Sequence, residues 1–173
     1  MRTVLGGNPL QRNSLMKQLM ALIVLGSLMT AGFAETPSAK LPTPPPVRAA
    51  IETHLAAIAA RDMKALLPTL TSGTDLPMIA PNGYKFDTRQ QYIDFHRQWF
   101  AAPDNGKLEA QIVSVTESPA LAHALIKYRY SSKDAAGKPQ STDCWLALTF
   151  ALEKGSWRLV FDQNTLITDP TVR

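Results

Sequence analysis

The strongest constraint on the fold is the alternation of apolar and polar residues that begins at Lys107 and fills the last third of the chain. Four stretches alternate with a period of two, and short turns such as Ser118-Pro119 and Lys154-Gly155-Ser156 separate them. This pattern predicts four consecutive strands in an antiparallel meander. Within the first stretch the apolar parity changes between Ile112 and Val113, which predicts a β-bulge.

The region before the meander has helical spacing instead. Apolar residues recur at three- and four-residue steps from Val47 to Ile58, which predicts a first helix beginning near Val47. A shorter leucine-containing helix follows, and then a hairpin around Pro81-Asn82-Gly83. A third helix is expected over 89–101, capped by Asp87 or Thr88. Helices followed by a long antiparallel sheet indicate an α+β domain.

Residues 1–34 differ in composition from the rest of the chain. They contain three basic residues and no acidic one, and an apolar run from Leu19 to Met29 precedes the small-residue exit Gly32-Phe33-Ala34. This order predicts a signal peptide cleaved near Ala34, hence a periplasmic or secreted protein. The run is shorter than the roughly 20 residues that span a bilayer, so no membrane association is expected after cleavage. Translation could start at Met1 or at Met16.

The remaining chain is expected to form a linker and one domain. Residues 35–46 are rich in proline, which favours an extended linker, and 47–173 form the predicted single domain. Cys144 is the only cysteine, so no intramolecular disulfide is available. Its apolar neighbours predict a small buried core residue rather than a reactive thiol.

Charge and motifs exclude several classes of function. The chain has 18 basic and 14 acidic residues, and the three basic residues of 1–34 account for most of the excess. The predicted mature part is therefore nearly neutral, without the basic patch that nucleic acid binding requires. The three histidines do not have metal-ligand spacing, and no phosphate-binding or nucleophile motif is present in the sequence. We expect neither a metal nor a cofactor.

The order of elements also resembles a known family. It is similar to the nuclear transport factor 2-like superfamily, especially its SnoaL-like and ketosteroid-isomerase-like branches, over 47–167. The most specific part is the last strand, Trp157 to Phe161, followed by the polar cluster Asp162 to Thr165. The resemblance implies a cone-shaped, curved antiparallel sheet wrapped around the N-terminal helices, with a pocket at its open end. It also implies a homodimer through the outer sheet face.

Seven residues are candidates for a ligand-binding site in this pocket. Tyr92, His96 and Trp99 share one helical face, because they lie at positions i, i+4 and i+7. Tyr128 and Tyr130 share one strand face and could offer hydroxyls to a ligand. For both groups, packing in the core or at its rim is the alternative interpretation.

Gln163 and Thr165 complete the candidate set. They share parity with Trp157, so we expect them to face inward where the apolar part of the last strand ends. Asp162 has the opposite parity. It is either a group that transfers a proton or a residue that caps the end of the sheet through hydrogen bonds. His54, beside the apolar stripe of the first helix, is either a general base or a satisfied core histidine.

The sequence leaves three functions open. The first is an exported domain that binds a small molecule, or serves an accessory role, without catalysis. The second is a cofactor-free isomerase or cyclase that transfers protons, which would need a buried carboxylate or histidine facing an aromatic hydroxyl. The third is a dimeric interaction module that uses the outer face around Lys127, Arg129 and Trp145.

Overall fold

A computed structural model describes residues 46–103 and 106–168. The predicted signal peptide and all but the last residue of the linker lie outside these described residues, so both stay predictions. Helix α1 spans Val47–Ala59 and α2 spans Met63–Leu66, continuing as a 3-10 turn over Leu67–Thr69. Helix α3 spans Arg89–Ala101.

The helix boundaries follow from local chemistry. Helix α1 begins directly after Pro46, whose missing N–H costs nothing at this position. Thr88 caps α3: its hydroxyl accepts from the backbone N–H of Gln91, and the Gln91 side chain accepts from the backbone N–H of Thr88. This reciprocal capping box satisfies two N–H groups that the helix itself leaves unpaired, and it selects Thr88 over Asp87.

Six strands form one curved, open sheet. Their bounds are β1 Asp75–Ile79, β2 Lys85–Thr88, β3 Lys107–Glu117, β4 Leu121–Lys133, β5 Pro139–Glu153 and β6 Ser156–Leu166. The order across the sheet is β2-β1-β6-β5-β4-β3. Strands β3 to β6 form the predicted antiparallel meander, while β1 joins its edge by pairing parallel to β6. The expected α+β architecture is confirmed, with this one parallel pairing added.

Two bulges set the direction of side chains in the meander. The first lies in β3 between Ile112 and Ser114, where the sequence predicted it. The second lies in β6: Thr149 pairs with Phe161, but the next residue of β5, Phe150, pairs with Leu159. Val160 is therefore the extra residue, and the inward parity of β6 changes at this point.

The core lies between the concave face of the sheet and helix α1. Buried side chains of α1 include Val47 and Ile51, and they pack with the inward residues of β4 and β5. Cys144 is fully buried among them, as predicted. No helix in the described ranges is both long and apolar enough to cross a membrane.

Candidate functional site

A cavity of about 310 Å³ lies between helices α1 and α3 and the concave face of the sheet. Most of its lining is apolar or aromatic, and Asp162 is its one acidic residue. A volume near 300 Å³ is at the lower end of the range found for small-molecule sites. The lining consists of Leu55, Ile58, Met78, Ala80, Pro81, Phe95, His96, Trp99, Leu108, Tyr128, Tyr130, Thr142, Leu146, Asp162 and Asn164.

Asp162 is a buried carboxyl group in the wall of this cavity. Its side chain is 4% exposed, and Asn164 Nδ2 donates to Oδ1 at 2.8 Å. The Tyr92 hydroxyl donates to Oδ2 at 3.3 Å. Burial raises the pKa of Asp162 to about 7, because removal from water penalises the charged form more than these two hydrogen bonds stabilise it.

Tyr92 and His54 lie directly behind Asp162, and both are fully buried. The Tyr92 hydroxyl lies 3.5 Å from Nε2 of His54, and Nδ1 of His54 lies 2.8 Å from the Thr69 hydroxyl. Burial lowers the pKa of His54 to about 3, so the imidazole is neutral at physiological pH. His54 is a core histidine with hydrogen-bond partners, yet it lies one side chain away from the carboxyl group of the cavity.

His96 is the second neutral imidazole of the site. Its Nδ1 lies 2.9 Å from the backbone carbonyl of Tyr92, one turn earlier in α3. A carbonyl can only accept, so Nδ1 carries the proton and Nε2 carries a lone pair. Burial lowers the pKa of His96 to about 4. His96 therefore offers the cavity an acceptor rather than a positive charge.

Tyr128 and Asn164 form a polar strip beside Asp162. The Tyr128 hydroxyl donates to Oδ1 of Asn164 at 3.0 Å, and Asn164 Nδ2 also donates to the backbone carbonyl of Ile79 at 3.0 Å. These contacts fix the amide so that its NH₂ group points at Asp162. Tyr128 thus acts on Asp162 through Asn164.

Tyr130 occupies the rim of the cavity, where a second group of contacts holds it. Its hydroxyl accepts from Nη2 of Arg61 at 3.1 Å and from Nε1 of Trp99 at 3.4 Å. Arg61 also donates to the backbone carbonyls of Ala102 and Gly106, at 3.2 and 3.3 Å. Gly106 packs against the Tyr130 ring so closely that a Cβ atom would overlap the hydroxyl. The rim is therefore tied to the end of α3.

Four of the seven predicted ligand-binding residues line the cavity. These are His96, Trp99, Tyr128 and Tyr130. Tyr92 is on the predicted helical face but lies beneath the cavity surface, where it contacts Asp162. Whether any of them binds a ligand stays a prediction.

The expected inward orientation of Gln163 and Thr165 is wrong. Gln163 pairs with Ala147 and Thr165 pairs with Trp145, both on the outer sheet face. The parity argument from Trp157 fails because the bulge at Val160 intervenes. Beyond the bulge, Asp162 and Asn164 face the cavity in their place.

Sequence reasoning therefore missed the polar centre of the site. The sequence leaves the role of Asp162 open between two alternatives, and it does not single out Asn164 as a site residue. One signal was available: Val160 and Phe161 are adjacent apolar residues, a break in strict alternation like the one that revealed the bulge in β3. With a bulge placed there, Asp162 and Asn164 acquire the parity of Leu159.

The outer sheet face carries a mixed-charge surface. Arg129 forms a bidentate ion pair with Asp143, and Lys127 lies 5.8 Å from the centre of the Trp145 ring. Lys127, Arg129 and Trp145 have the outward orientation that the sequence predicted, but self-association through this face stays a prediction. No group of three or more His, Cys, Asp or Glu side chains suited to a metal ion occurs in 46–103 and 106–168.

Solved structures share this fold at low sequence identity. A ketosteroid isomerase-like protein from Erwinia carotovora atroseptica matches with a TM-score of 0.61 and 16% identity, covering 71% of this chain and 95% of that chain. A proposed dehydratase of the nuclear transport factor 2-like family from Streptomyces avermitilis matches with a TM-score of 0.62 and 12% identity, with 71% and 95% covered.

An uncharacterised protein with a cystatin-like fold from Caulobacter vibrioides has a TM-score of 0.58 and 19% identity, with 72% and 89% covered. Identities this low establish the fold alone, and the names of the three proteins differ, so fold does not decide function. No curated protein matches the sequence.

The sequence itself carries a family match. The SnoaL-like domain family matches residues 47–164, from the first residue of α1 to the asparagine beside Asp162. This range contains all six strands except the end of β6, and every residue that lines the cavity. The chain therefore belongs to the SnoaL-like domain family of the nuclear transport factor 2-like superfamily, a group of ligand-binding and isomerase-type domains.

Proposed function

We propose that this domain binds a small, neutral, mostly apolar molecule in the cavity and moves a proton on it through Asp162, without a cofactor. The observation that carries the proposal is a buried carboxyl group, with a pKa near 7, that lines an aromatic cavity and accepts from a tyrosine hydroxyl. A general base works best when its pKa lies near the pH at which it operates.

The lining indicates the class of ligand. Aromatic and aliphatic side chains supply most of the surface, so binding would be driven by burial of apolar area. Neither lysine nor arginine is among the residues that line the cavity, while Asp162 gains negative charge above neutral pH. An anionic ligand would be repelled there, and a neutral carbonyl compound fits better.

The proposed step is a proton shift next to a carbonyl group. The Asp162 carboxylate takes a proton from a carbon adjacent to the carbonyl, and the electron pair of that C–H bond moves into an enolate. The protonated Asp162 then returns the proton to carbon, and the electron pair of the enolate forms the new C–H bond. The carboxyl group ends as it began, so no oxidant, reductant or metal takes part.

Proton exchange in heavy water tests the proposal without knowledge of the natural ligand. The probe is 2-tetralone, a neutral bicyclic ketone with acidic C–H bonds beside its carbonyl, followed by proton NMR near neutral pD. We expect the wild-type domain to accelerate exchange at least a hundredfold over Asp162→Asn, the usual scale for a positioned acid–base group. Binding of the probe with equal exchange in both proteins would favour a non-catalytic carrier. Absence of binding and exchange for this and related neutral ketones would refute the proposal.

An exposed carboxylate provides the matched control. Asp143, on the outer sheet face, is also an aspartate in a strand, but it is paired with Arg129 and lies away from the cavity. Asp143→Asn is expected to exchange the probe at the wild-type rate. Equal losses in both variants would indicate general damage to the fold rather than loss of a base.

A further inference from the structure

His54 is a buried titratable group that the proposed proton step does not use. It lies behind Asp162, out of contact with the cavity, and its two ring nitrogens face different partners: Nδ1 the Thr69 hydroxyl and Nε2 the Tyr92 hydroxyl. Hydrogen-bond chemistry fixes which nitrogen carries the proton.

Thr69 determines the tautomer. The Thr69 hydroxyl donates to the backbone carbonyl of Leu66 at 2.7 Å, so its single proton is already used. Toward His54 its oxygen can therefore only accept, and Nδ1 must be the N–H. Because the imidazole is neutral, Nε2 then carries a lone pair directed at Tyr92.

The Tyr92 hydroxyl thus has two acceptors and one proton. Its oxygen is 3.3 Å from Oδ2 of Asp162 and 3.5 Å from Nε2 of His54. Both distances are longer than the usual 2.7–2.8 Å of a hydroxyl hydrogen bond, and they are nearly equal. The geometry leaves the hydroxyl able to serve either acceptor by rotation about its C–O bond.

The protonation state of Asp162 decides between the two acceptors. Its Oδ1 faces the NH₂ group of Asn164, so an added proton belongs on Oδ2, the oxygen nearest Tyr92. Two hydrogens cannot both lie between Oδ2 and the Tyr92 oxygen, which are 3.3 Å apart. When Oδ2 donates to Tyr92, the Tyr92 proton must turn toward the lone pair of His54.

We propose that Tyr92 and His54 form a hydrogen-bond switch behind Asp162. While Asp162 is a carboxylate, the Tyr92 hydroxyl donates to Asp162. While Asp162 holds a proton, the Tyr92 hydroxyl donates to Nε2 of His54. His54 is then a positioning residue that stabilises the protonated state through Tyr92. The existence of the switch does not depend on the proposed function. Its purpose does rest on that function, because the switch keeps both protonation states of Asp162 accessible during a proton shift.

The other groups near Asp162 do not compete for this role. Helix α3 also supplies His96, whose Nδ1 is bound to the backbone carbonyl of Tyr92. Strand β6 supplies Asn164, which donates to Oδ1, and β4 supplies Tyr128, which donates to Asn164. Strand β5 supplies Cys144, a neutral thiol whose pKa is raised by burial.

Nitrogen-15 NMR of the histidines in the ligand-free, wild-type protein tests the switch directly. We expect His54 to keep the Nδ1–H tautomer from pH 5 to pH 9, and its Nε2 resonance to move with the midpoint of the Asp162 carboxyl carbon. An Nε2–H tautomer would overturn the proposal, and so would an Nε2 resonance that stays fixed while Asp162 titrates. The NMR measurement needs no ligand, so a failed exchange assay would count against the proposed function and not against the switch. A failed NMR test would likewise count against the switch and not against the proposed function.

Two variants of His54 test its effect on Asp162. His54→Phe removes the second acceptor, so we expect the Asp162 midpoint to fall by about one pH unit, the value of one hydrogen bond. His54→Gln supplies an amide oxygen that can accept from Tyr92, and it should restore most of the wild-type midpoint. Identical midpoints in all three proteins would contradict the switch. If His54→Phe does not fold, the nitrogen-15 measurement still decides.

Discussion

The Tyr92 hydroxyl lies 3.3 Å from Oδ2 of Asp162, and both side chains are shielded from solvent, although one comes from helix α3 and the other from strand β6. The contact joins a hydrogen-bond donor to a carboxyl group whose pKa burial raises to about 7. A carboxyl group that faces an aromatic hydroxyl beside an apolar cavity is the arrangement that a proton-transfer site requires.

The first prediction concerns stability above neutral pH. Between about pH 4 and pH 7 the folded state keeps the Asp162 proton while the unfolded state, with an ordinary aspartate pKa, releases it. The contribution of Asp162 to the free energy of unfolding therefore falls as pH rises through this window, by up to about 4 kcal/mol in total. We expect Asp162→Asn, which mimics the protonated state, to be more stable than wild type at pH 8. Urea unfolding at pH 5 and pH 8 measures the difference, and it should shrink at the lower pH.

The second prediction concerns the two buried histidines, whose effect has the opposite sign. The pKa values of His54 and His96 are lowered to about 3 and about 4, so the folded state stays neutral while the unfolded state gains two protons below pH 6.5. Their contribution to the free energy of unfolding therefore rises from about pH 4 to pH 6.5. Because two histidines contribute to this gain, it exceeds the loss that the one carboxyl group of Asp162 causes over the same range. Thermal unfolding from pH 5 to pH 8 should show maximal stability near pH 6.5. A steady decline from pH 5 upward would contradict the neutral histidines.

The third prediction concerns the hydrogen bond from Tyr92. Tyr92→Phe removes the bond to the Asp162 carboxylate and also the bond that protonated Asp162 donates to Tyr92. Because a hydrogen bond to a charged group is the stronger of the two, the pKa of Asp162 should rise above 7. Carbon-13 NMR of the carboxyl group measures the shift. Tyr84 is 63% exposed and its ring packs on Phe86 rather than on Asp162, so Tyr84→Phe is the matched control and should leave the midpoint unchanged.

The fourth prediction concerns the rim of the cavity. An added methyl group in Gly106→Ala would overlap the Tyr130 hydroxyl and displace it from Arg61 and Trp99. We expect binding of 2-tetralone to weaken while the titration of Asp162 stays the same, which isothermal titration calorimetry and carbon-13 NMR can show together. Gly73→Ala places its methyl group at an ordinary contact distance, 3.4 Å from the Thr71 hydroxyl, and serves as the control. Equal weakening in both variants would rule out a specific role for the rim.

The fifth prediction concerns the volume of the cavity. Ala80 lines it, so Ala80→Leu fills part of the 310 Å³ and should weaken binding of the bicyclic probe at least tenfold. Overfilling a packed site costs roughly 1–3 kcal/mol, whereas an open cavity accepts the added carbons more easily. We therefore expect little loss of stability in calorimetry. Ala147→Leu, on the outer face, should leave binding intact.

The helices and the meander were predictable because local patterns determine them. The spacing from Val47 to Ile58 indicated α1, and the parity change near Val113 indicated the first bulge. In both places the pattern depends only on neighbours in the sequence.

The polar centre of the site was less accessible because it depends on pairing between strands. From Trp157 to Phe161 the odd-numbered residues are apolar, which imitates an unbroken strand, and only the register with β5 reveals Val160 as the extra residue. His54, Tyr92 and Asp162 come from α1, α3 and β6, and no short-range pattern brings them together. Their convergence results from packing of the helices against the curved sheet.

The measurement that tests this account most directly is the ionisation midpoint of Asp162, followed by carbon-13 NMR in the ligand-free protein with Asp162→Asn to assign the resonance. The account predicts a midpoint near pH 7, well above that of an exposed aspartate, because the carboxyl group is buried beside an apolar cavity. A midpoint near pH 4 would show that Asp162 is solvated and ionised throughout the neutral range, which would contradict its role as a base tuned by burial.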